Sequence, residues 1–483
     1  MRGVSGEIAV AASGPPGSGA VAAGSALTRD AAAHMLRLGG SAIDAVVAGA
    51  FAATVAEPTL ASLGGGGFCL TASPGEDPGV TDFFVDMPGR GEQASEPVPM
   101  TNLSVTFGSG TQQEFHVGWS SVAVPGTLAG LLDLHARGGR LPLREVIEPA
   151  ATAARDGIVL DAVQVDFIRV IGPILRLTPA SADLFGPPLE GRPFRNPVYA
   201  DMLTRLAQGE SPDVAFAQPL ADAIRAHGGL VTREDLQTYA VAHRAPVRAR
   251  RADAWIWTNP PPAFGGAIVL ESRGLVPTTG AAWRGVPHAL RHATRRPRFG
   301  AQVQRGTTHL SVLDSEGRVA ALSLSNGSGS GTVAAGVALN NMLGEADLHP
   351  DGFHSLAPGE RLSSMMAPTL VVGDDGSLLA LGTGGSERIR SALTQVLLRT
   401  LDLDEDLAVA IGAPRLHAAE DLIDIEPGFP AEFLAWMAEG HSPLREWPSA
   451  DLYFGGVHAV SRDPDGRVTA AADLRRGGAV AVV

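Results

Sequence analysis

The chain contains no lysine: apart from histidine, all 37 cationic side chains are arginines. A P-loop of the GxxxxGK[ST] type, a lysine Schiff base with a carbonyl or pyridoxal phosphate, and a Ser-x-x-Lys acyl-transfer dyad are therefore excluded. Cysteine occurs once, at Cys69, so neither an intramolecular disulfide nor a cysteine-rich metal centre can form, and a reducing compartment suits the chain. Charged residues are sparse at 18%, against roughly 25% in an average soluble protein, while hydrophobic residues reach 45%. A large core is affordable and little of the chain reads as disordered. With 51 acidic residues the net charge is -14, which disfavours nucleic acid bound through a broad basic surface. The most apolar run, Ala45 to Ala56, is shorter than the ~20 residues that span a bilayer, so no membrane association is expected. The opening MRGVSGEIAVAASGPPGSG lacks a basic start followed by an apolar core, and with the lone cysteine this points to the cytoplasm.

Two catalytic signatures are also missing. No G-x-S-x-G places serine at its centre, because GSGSG at 327–331 is offset by one residue, and no G-x-G-x-x-G opens a helix after a strand. What is present suggests helices first and strand pairs later. Ala26–Leu38 and Ser41–Ala56 read as a helical hairpin, with Ser41 as N-cap and Asp44 completing a capping box. Gly64–Gly67 taken alone reads as a tight turn, or alternatively as backbone packed beside a site, before a strand at Phe68–Ala72. Val122–Gly126 reads as a short strand and Thr127–Ala136 as a helix; Pro142–Tyr239 is mostly helical in period, with a second capping pattern at Thr232 and Asp235. Around Gly280–Gly306 the composition turns to arginine and small residues, as in a solvated connector. His288 and His292 share a helix face there but lack the glutamate of HExxH, so no metal site is read. Beyond Gly306 come strand pairs at Leu310–Asp314 with Val319–Ser325, Leu370–Val372 with Leu378–Leu381, and Val457–Val460 with Val468–Ala471, and a helix at Ile389–Leu401. This order indicates an α+β or layered sandwich rather than a regular βαβ alternation.

The stretch with chemical content is Gly306-Thr307-Thr308-His309, where the connector gives way to a strand. Cutting the peptide bond after Gly306 would give Thr307 a free α-amine beside its own hydroxyl. That amine, with an ordinary pKa near ~8, is the base a threonine nucleophile needs. Taken alone, Thr-Thr at the start of a strand is commonplace.

The motif stands in ordered company. LRLGGSAIDAVVA, EPTLASLGGGGF, VAVPGTLAGL, GGLVTREDLQTY, TTHLSVLDSEG, LNNML, RLSSMMAPTLV, GTGGSERI and APRLH together resemble the gamma-glutamyltransferase family of N-terminal nucleophile hydrolases, from about residue 20 to 478. The resemblance implies a four-layer αββα sandwich of the α+β class. It implies a precursor that cuts itself between Gly306 and Thr307 into a large subunit, residues 1–306, and a small subunit, 307–483, which together form one domain. Thr307 is then both processing residue and nucleophile, Gly384 and Gly385 donate to the oxyanion, and Ser325 orients the nucleophile with Asn326 beside it. Ser363 and Ser364 match the pair that holds a substrate α-carboxylate. Glu345 stands where relatives place an aspartate that binds the α-amine. Val85 replaces the arginine that pairs with a γ-glutamyl α-carboxylate, and Arg90 is the nearest candidate to supply that cation.

No metal or organic cofactor is called for. The expected partners are a small-molecule amide, with water or an amine as acceptor. γ-Glutamyl transfer, as in glutathione metabolism, is the default. Val85 keeps other small acyl groups in play: a cephalosporin side chain, an oxamate-like amide, or oxalyl removal in a biosynthetic pathway. A reading from a different class, a binding protein that kept the fold without the chemistry, predicts an uncut chain.

Overall fold

The computed structural model describes residues 8–91, 97–106, 112–186, 191–277, 282–294, 306–349, 352–419, 422–440 and 443–483. In chain order the strands of its two large sheets are β1 (Ala9–Gly14), β2 (Ala20–Ala23), β3 (Gly66–Ala72), β4 (Gly79–Phe83), β5 (Ala242–Arg244), β6 (Val247–Arg251), β7 (Ala254–Thr258), β8 (Gly306–Leu313), β9 (Val319–Gly327), β10 (Thr369–Gly373), β11 (Leu378–Gly384), β12 (Gly456–Arg462), β13 (Val468–Asp473) and β14 (Ala479–Val482). One sheet runs β1-β13-β12-β11-β10-β7-β6 and the other β14-β2-β8-β9-β3-β4-β5, with every neighbouring pair antiparallel.

The sheets face one another, β8 crossing β11 and β12, and helices cover both outer faces. Outside the second sheet lie α1 (Ala26–Arg37), α2 (Ala42–Ala56), α3 (Thr127–Gly138) and α4 (Leu143–Asp156), with the shorter α5 (Ala162–Val170) beyond them; outside the first lie α6 (Gly265–Leu275), α7 (Ala282–Thr294) and α8 (Arg388–Asp402). This is the expected αββα sandwich. Helix α2 is apolar around its whole circumference and almost wholly buried, as such a helix must be. Its start is fixed by the anticipated box: the Asp44 carboxylate accepts from the Ser41 backbone N–H at 2.7 Å, and the Ser41 hydroxyl accepts from the Asp44 N–H.

Strand alternation decides what each layer receives. On β2, Val21 and Ala23 enter the helix-side core while Ala20 and Ala22 enter the core that includes the space between the sheets. On β8, Leu310 and Val312 join the helix side. Thr307, His309 and Ser311 therefore point between the sheets, and Thr308 points down towards α2.

Three expectations change. Val122–Gly126 forms no strand; Val124 makes a single bridge to Asp86, since the chain turns into α3 at once. The presumed solvated connector holds helix α7, whose Val286, Ala289, Leu290 and Ala293 are buried: its arginines alternate with an apolar stripe at helical spacing, and composition alone hid that. The rest of that stretch, 280–281 and 295–305, lies outside the described residues. Gly64–Gly67 is closely packed backbone rather than a tight turn: Gly64 bridges Leu339, and Gly65–Gly67 lie along β9, with Gly66 paired to Ser325. A Cβ on Gly65 would stand 2.2 Å from the Ser325 carbonyl oxygen. Among the described residues no helix is long and apolar enough to cross a membrane.

Candidate active site

The hairpin β8–β9 sets Thr307 opposite Ser325, and its register breaks between Gly306 and Thr307. At that break the Thr307 hydroxyl donates to Ser325 Oγ at 3.2 Å. Ser325 in turn donates to the carbonyl oxygen of Gly306 at 2.7 Å and accepts from the Gly327 backbone N–H at 3.1 Å. One serine thus bonds both the candidate nucleophile and the carbonyl of the Gly306–Thr307 peptide. Gly306 has no alternative as a residue type: a Cβ there would lie 2.3 Å from the Thr59 carbonyl oxygen. Thr307 itself is only 4% exposed. The substitution Ser325→Ala is expected to slow self-cleavage about 10²-fold, the scale of a lost positioned proton-handling group, and a time course of intact mass after synthesis checks it.

The end of β11 closes the site from the facing sheet. Gly384 touches Thr307 so closely that a Cβ would sit 2.0 Å from the Thr307 carbonyl oxygen. Gly385 follows with φ +130°, a conformation that glycine favours, and Ser386 with φ +53°. The Thr383 hydroxyl anchors the turn, accepting from the Gly456 N–H at 2.8 Å and donating to the Gly384 carbonyl at 2.7 Å.

Sequence reasoning missed Arg476. Its stem packs on Gly456, its Nε donates to the Leu452 carbonyl, and its guanidinium lies over Gly384 and Gly385, 3.0 and 3.7 Å from the positions where their Cβ atoms would be. Burial and the neighbouring Arg388 lower its pKa to about 10, so it stays cationic at neutral pH beside the two glycines. Two arginines ahead of Gly477-Gly478 were the only signal, indistinguishable from a turn.

Asn326 and Gly327 follow Ser325, and Glu345 packs against Gly327. A Cβ on Gly327 would meet Glu345 Oε1 at 2.5 Å, and Asn326 donates to the Leu339 carbonyl at 3.4 Å while its buried Oδ1 has no hydrogen-bond partner among the described residues. The Leu348 N–H bonds back to the Glu345 carbonyl, and the Ser363 hydroxyl donates to the Leu348 carbonyl at 3.4 Å. Ser364 is buried; its Oγ accepts from the Met366 N–H, and its carbonyl accepts the N–H groups of Phe264 and Gly265 at the start of α6. A continuous run of contacts therefore links Thr307, Ser325, Gly327, Glu345, Leu348 and Ser363.

Arg90 is not brought into this set. Its Nη1 donates to the carbonyl and hydroxyl of Thr238 at 3.0 Å, and its Nη2 to the Gly359 carbonyl at 3.2 Å. It buttresses the strap leading to Ser363 rather than replacing the missing cation. Val85 is fully buried in the core. Arg361, absent from the expected set, ties the neighbouring carboxylates: it bonds Asp82 Oδ1 at 2.6 Å and Asp86 Oδ1 at 2.5 Å.

His309, two residues beyond Thr307, is committed to structure. Both ring nitrogens face serine hydroxyls, Ser323 and Ser311, at 2.9 Å, and burial holds its pKa well below the ordinary histidine value. It supplies no base to Thr307.

The sequence model described as Gamma-glutamyltranspeptidase matches residues 28–276 and 272–483. The chain belongs to the gamma-glutamyltranspeptidase family. Among its relatives, the Acylase ACY 1 proenzyme of Pseudomonas sp. (strain SE83) is 29% identical, the match covering 94% of this chain and 91% of that protein. The Glutathione hydrolase proenzyme of Escherichia coli (strain K12) is 26% identical over 95% and 90%. The crystal structure of cephalosporin acylase from Bacillus halodurans superposes with a TM-score of 0.80 at 24% identity, over 99% of this gamma-glutamyltranspeptidase-family chain and 97% of that one, a likeness of fold.

Proposed function

We propose that this chain is a self-cleaving threonine amidohydrolase or acyltransferase, cut between Gly306 and Thr307 into subunits 1–306 and 307–483. The observation that carries the reading is the arrangement of Thr307 Oγ, Ser325 Oγ and the Gly306 carbonyl against Gly384. In the first reaction Thr307 Oγ adds to the Gly306 carbonyl carbon. The C–N bond breaks, the nitrogen takes up the hydroxyl proton, and an ester remains. Water then cleaves the ester, leaving a Gly306 carboxylate and restoring the Thr307 hydroxyl beside a free α-amine. In each later turnover that amine accepts the hydroxyl proton as Oγ attacks an amide carbonyl, and returns it to the departing amine. Gly384 and Gly385 would hold the oxyanion, with the Arg476 charge behind them. Water or an amine resolves the acyl-enzyme. The names of the relatives, glutathione hydrolase and acylase proenzymes, support this chemistry and a small-molecule acyl donor. A cytoplasmic setting belongs to the same proposal and rests on the single, buried Cys69.

A γ-glutamyl donor is the first reading, with Ser363 and Ser364 at its α-carboxylate and Glu345 at its α-amine. One observation favours a second, an acyl group without that carboxylate: Val85 is sealed in the core, and both Arg90 and Arg361 are engaged elsewhere. A bidentate arginine is the strongest carboxylate partner a protein offers, so its loss weakens the first reading. Saturable turnover of γ-glutamyl-p-nitroanilide at ordinary enzyme concentrations is expected under the first. Under the second, that substrate turns over at least ~10²-fold less efficiently than an oxamate-like or other small-acyl amide, the scale of a missing charged contact of about 3 kcal/mol.

A further inference from the structure

Directly beneath the candidate nucleophile, on the helix side of β8, lies an acid that the reaction above does not use. Glu57 closes α2 and is fully buried. Its Oε1 accepts from the Thr28 hydroxyl at 2.8 Å, and its Oε2 accepts from the hydroxyl of Thr308, the residue after Thr307. Gly24 leaves room for this, since a Cβ there would lie 2.4 Å from Oε2. The Glu57 carbonyl accepts from the N–H groups of Leu60 and Ala61, and the resulting turn sets Thr59 and Leu60 against Gly306. One short segment, Glu57–Leu60, therefore grips the chain on both sides of Thr307.

No cation pairs with Glu57 among the described residues. α1 and its N-cap offer the hydroxyls of Thr28 and Ser25, β8 offers that of Thr308, and the charged group facing it across the gap is another acid, Asp161 at the start of α5. Burial raises its pKa to about 7; the hydroxyl bonds work against that rise and Asp161 adds to it. Burying a carboxylate without a counter-charge is costly, so the arrangement calls for a purpose. Among the described residues of the uncut chain no cation is at hand. Cutting the Gly306–Thr307 bond creates one, the α-ammonium of Thr307, a single residue from Thr308.

We propose that Glu57 is a positioning residue: it holds the Thr307–Thr308 backbone through the Thr308 hydroxyl and, once the chain is cut, becomes the counter-charge of the new α-ammonium group. This rests on the reading of Thr307 as the self-cleaving nucleophile. The carboxylate tunes the base instead of touching substrate. While ionised it favours the protonated amine; the Arg476 guanidinium on the opposite sheet works in the other direction. The pH at which the amine becomes a free base is then a property of both groups together, and their titrations are coupled.

The test compares wild type, Glu57→Gln and Thr307→Ala by intact mass, and mature wild type and Glu57→Gln by the pH profile of kcat/KM on whichever amide substrate turns over. Removing the carboxylate lowers the amine pKa, so the acid limb of Glu57→Gln is expected to move about one unit to lower pH. Slower self-cleavage should accompany it. A Glu57→Gln profile coincident with wild type, in a background where Thr307→Ala stays uncut, overturns the role of Glu57 and leaves the nucleophile standing. A Thr307→Ala chain that is still cut overturns the nucleophile itself. Should Glu57→Gln yield no folded protein, wild type labelled with [15N]threonine decides: the α-amine nitrogen shift should titrate in two steps, and a single step overturns the proposal.

Discussion

Replacing Thr307 by alanine is expected to leave one uncut chain of 49.7 kDa and to lower turnover by ~10⁴-fold or more, the loss seen when a nucleophile that acts as one unit with its base is removed. The geometry gives the reason. Thr307 Oγ is bonded to the same Ser325 hydroxyl that bonds the Gly306 carbonyl, so the oxygen is held beside the carbon that the proposed reaction has it attack. Alanine keeps the strand and removes that atom. Both reactions fail together, because without scission no α-amine exists to accept a proton from any substituted nucleophile. Thr307→Ser retains the oxygen and is expected to mature, more slowly, since serine lacks the methyl group that restricts χ1 on a strand. Intact-mass analysis separates the cases, the smaller wild-type fragment beginning TTHLSV. Two fragments from Thr307→Ala, or full turnover by an uncut wild-type chain, would sink the mechanism.

The second large effect is steric. A methyl group on Gly384 would stand 2.0 Å from the Thr307 carbonyl oxygen, a main-chain atom that moves only if β8 moves. Gly384→Ala is therefore expected to abolish maturation on the time scale of expression, and any matured fraction should show kcat reduced 10²- to 10³-fold, about the 3–4 kcal/mol of one misplaced oxyanion donor. Gly385→Ala offers the control. Its added Cβ meets nothing closer than 3.3 Å, but φ +130° strains it, so misfolding rather than displacement of Thr307 should dominate its phenotype. Thermal melting beside intact mass tells the two apart, and a Gly384→Ala chain that matures at the wild-type rate contradicts the contact.

Much of this architecture was legible in the chain. The capping boxes at Ser41/Asp44 and Thr232/Asp235 and the strand pair around Ser315-Glu316-Gly317 are local signals, and local signals survive folding. Thr307, Ser325, Asn326, Gly384 and Gly385 were reachable through ordered motifs. What stayed hidden depends on pairing distant segments. Nothing local tells a four-glycine run that its last three residues lie along β9, or the arginine at position 476 that its neighbours are Gly384 and Gly385. Arg90 illustrates the reverse error: nearness to Val85 in sequence suggested a substitute cation, whereas the fold spends that guanidinium on Thr238 and Gly359. The buried face of α7 was masked by composition, because arginines on one side of a helix and apolar residues on the other average to a connector.

The interleaving of the two sheets bears on what a cut chain can do. Segments from either side of residue 307 alternate: β14, then β2, then β8 and β9, then β3 in one sheet, and β1 against β13 and β7 against β10 in the other. Pulling the halves apart would mean unzipping five separate ladders of main-chain hydrogen bonds. A scission before Thr307 would thus shed no fragment, and it would leave a chain terminus in the interior, in a place where ribosomal synthesis could never put one.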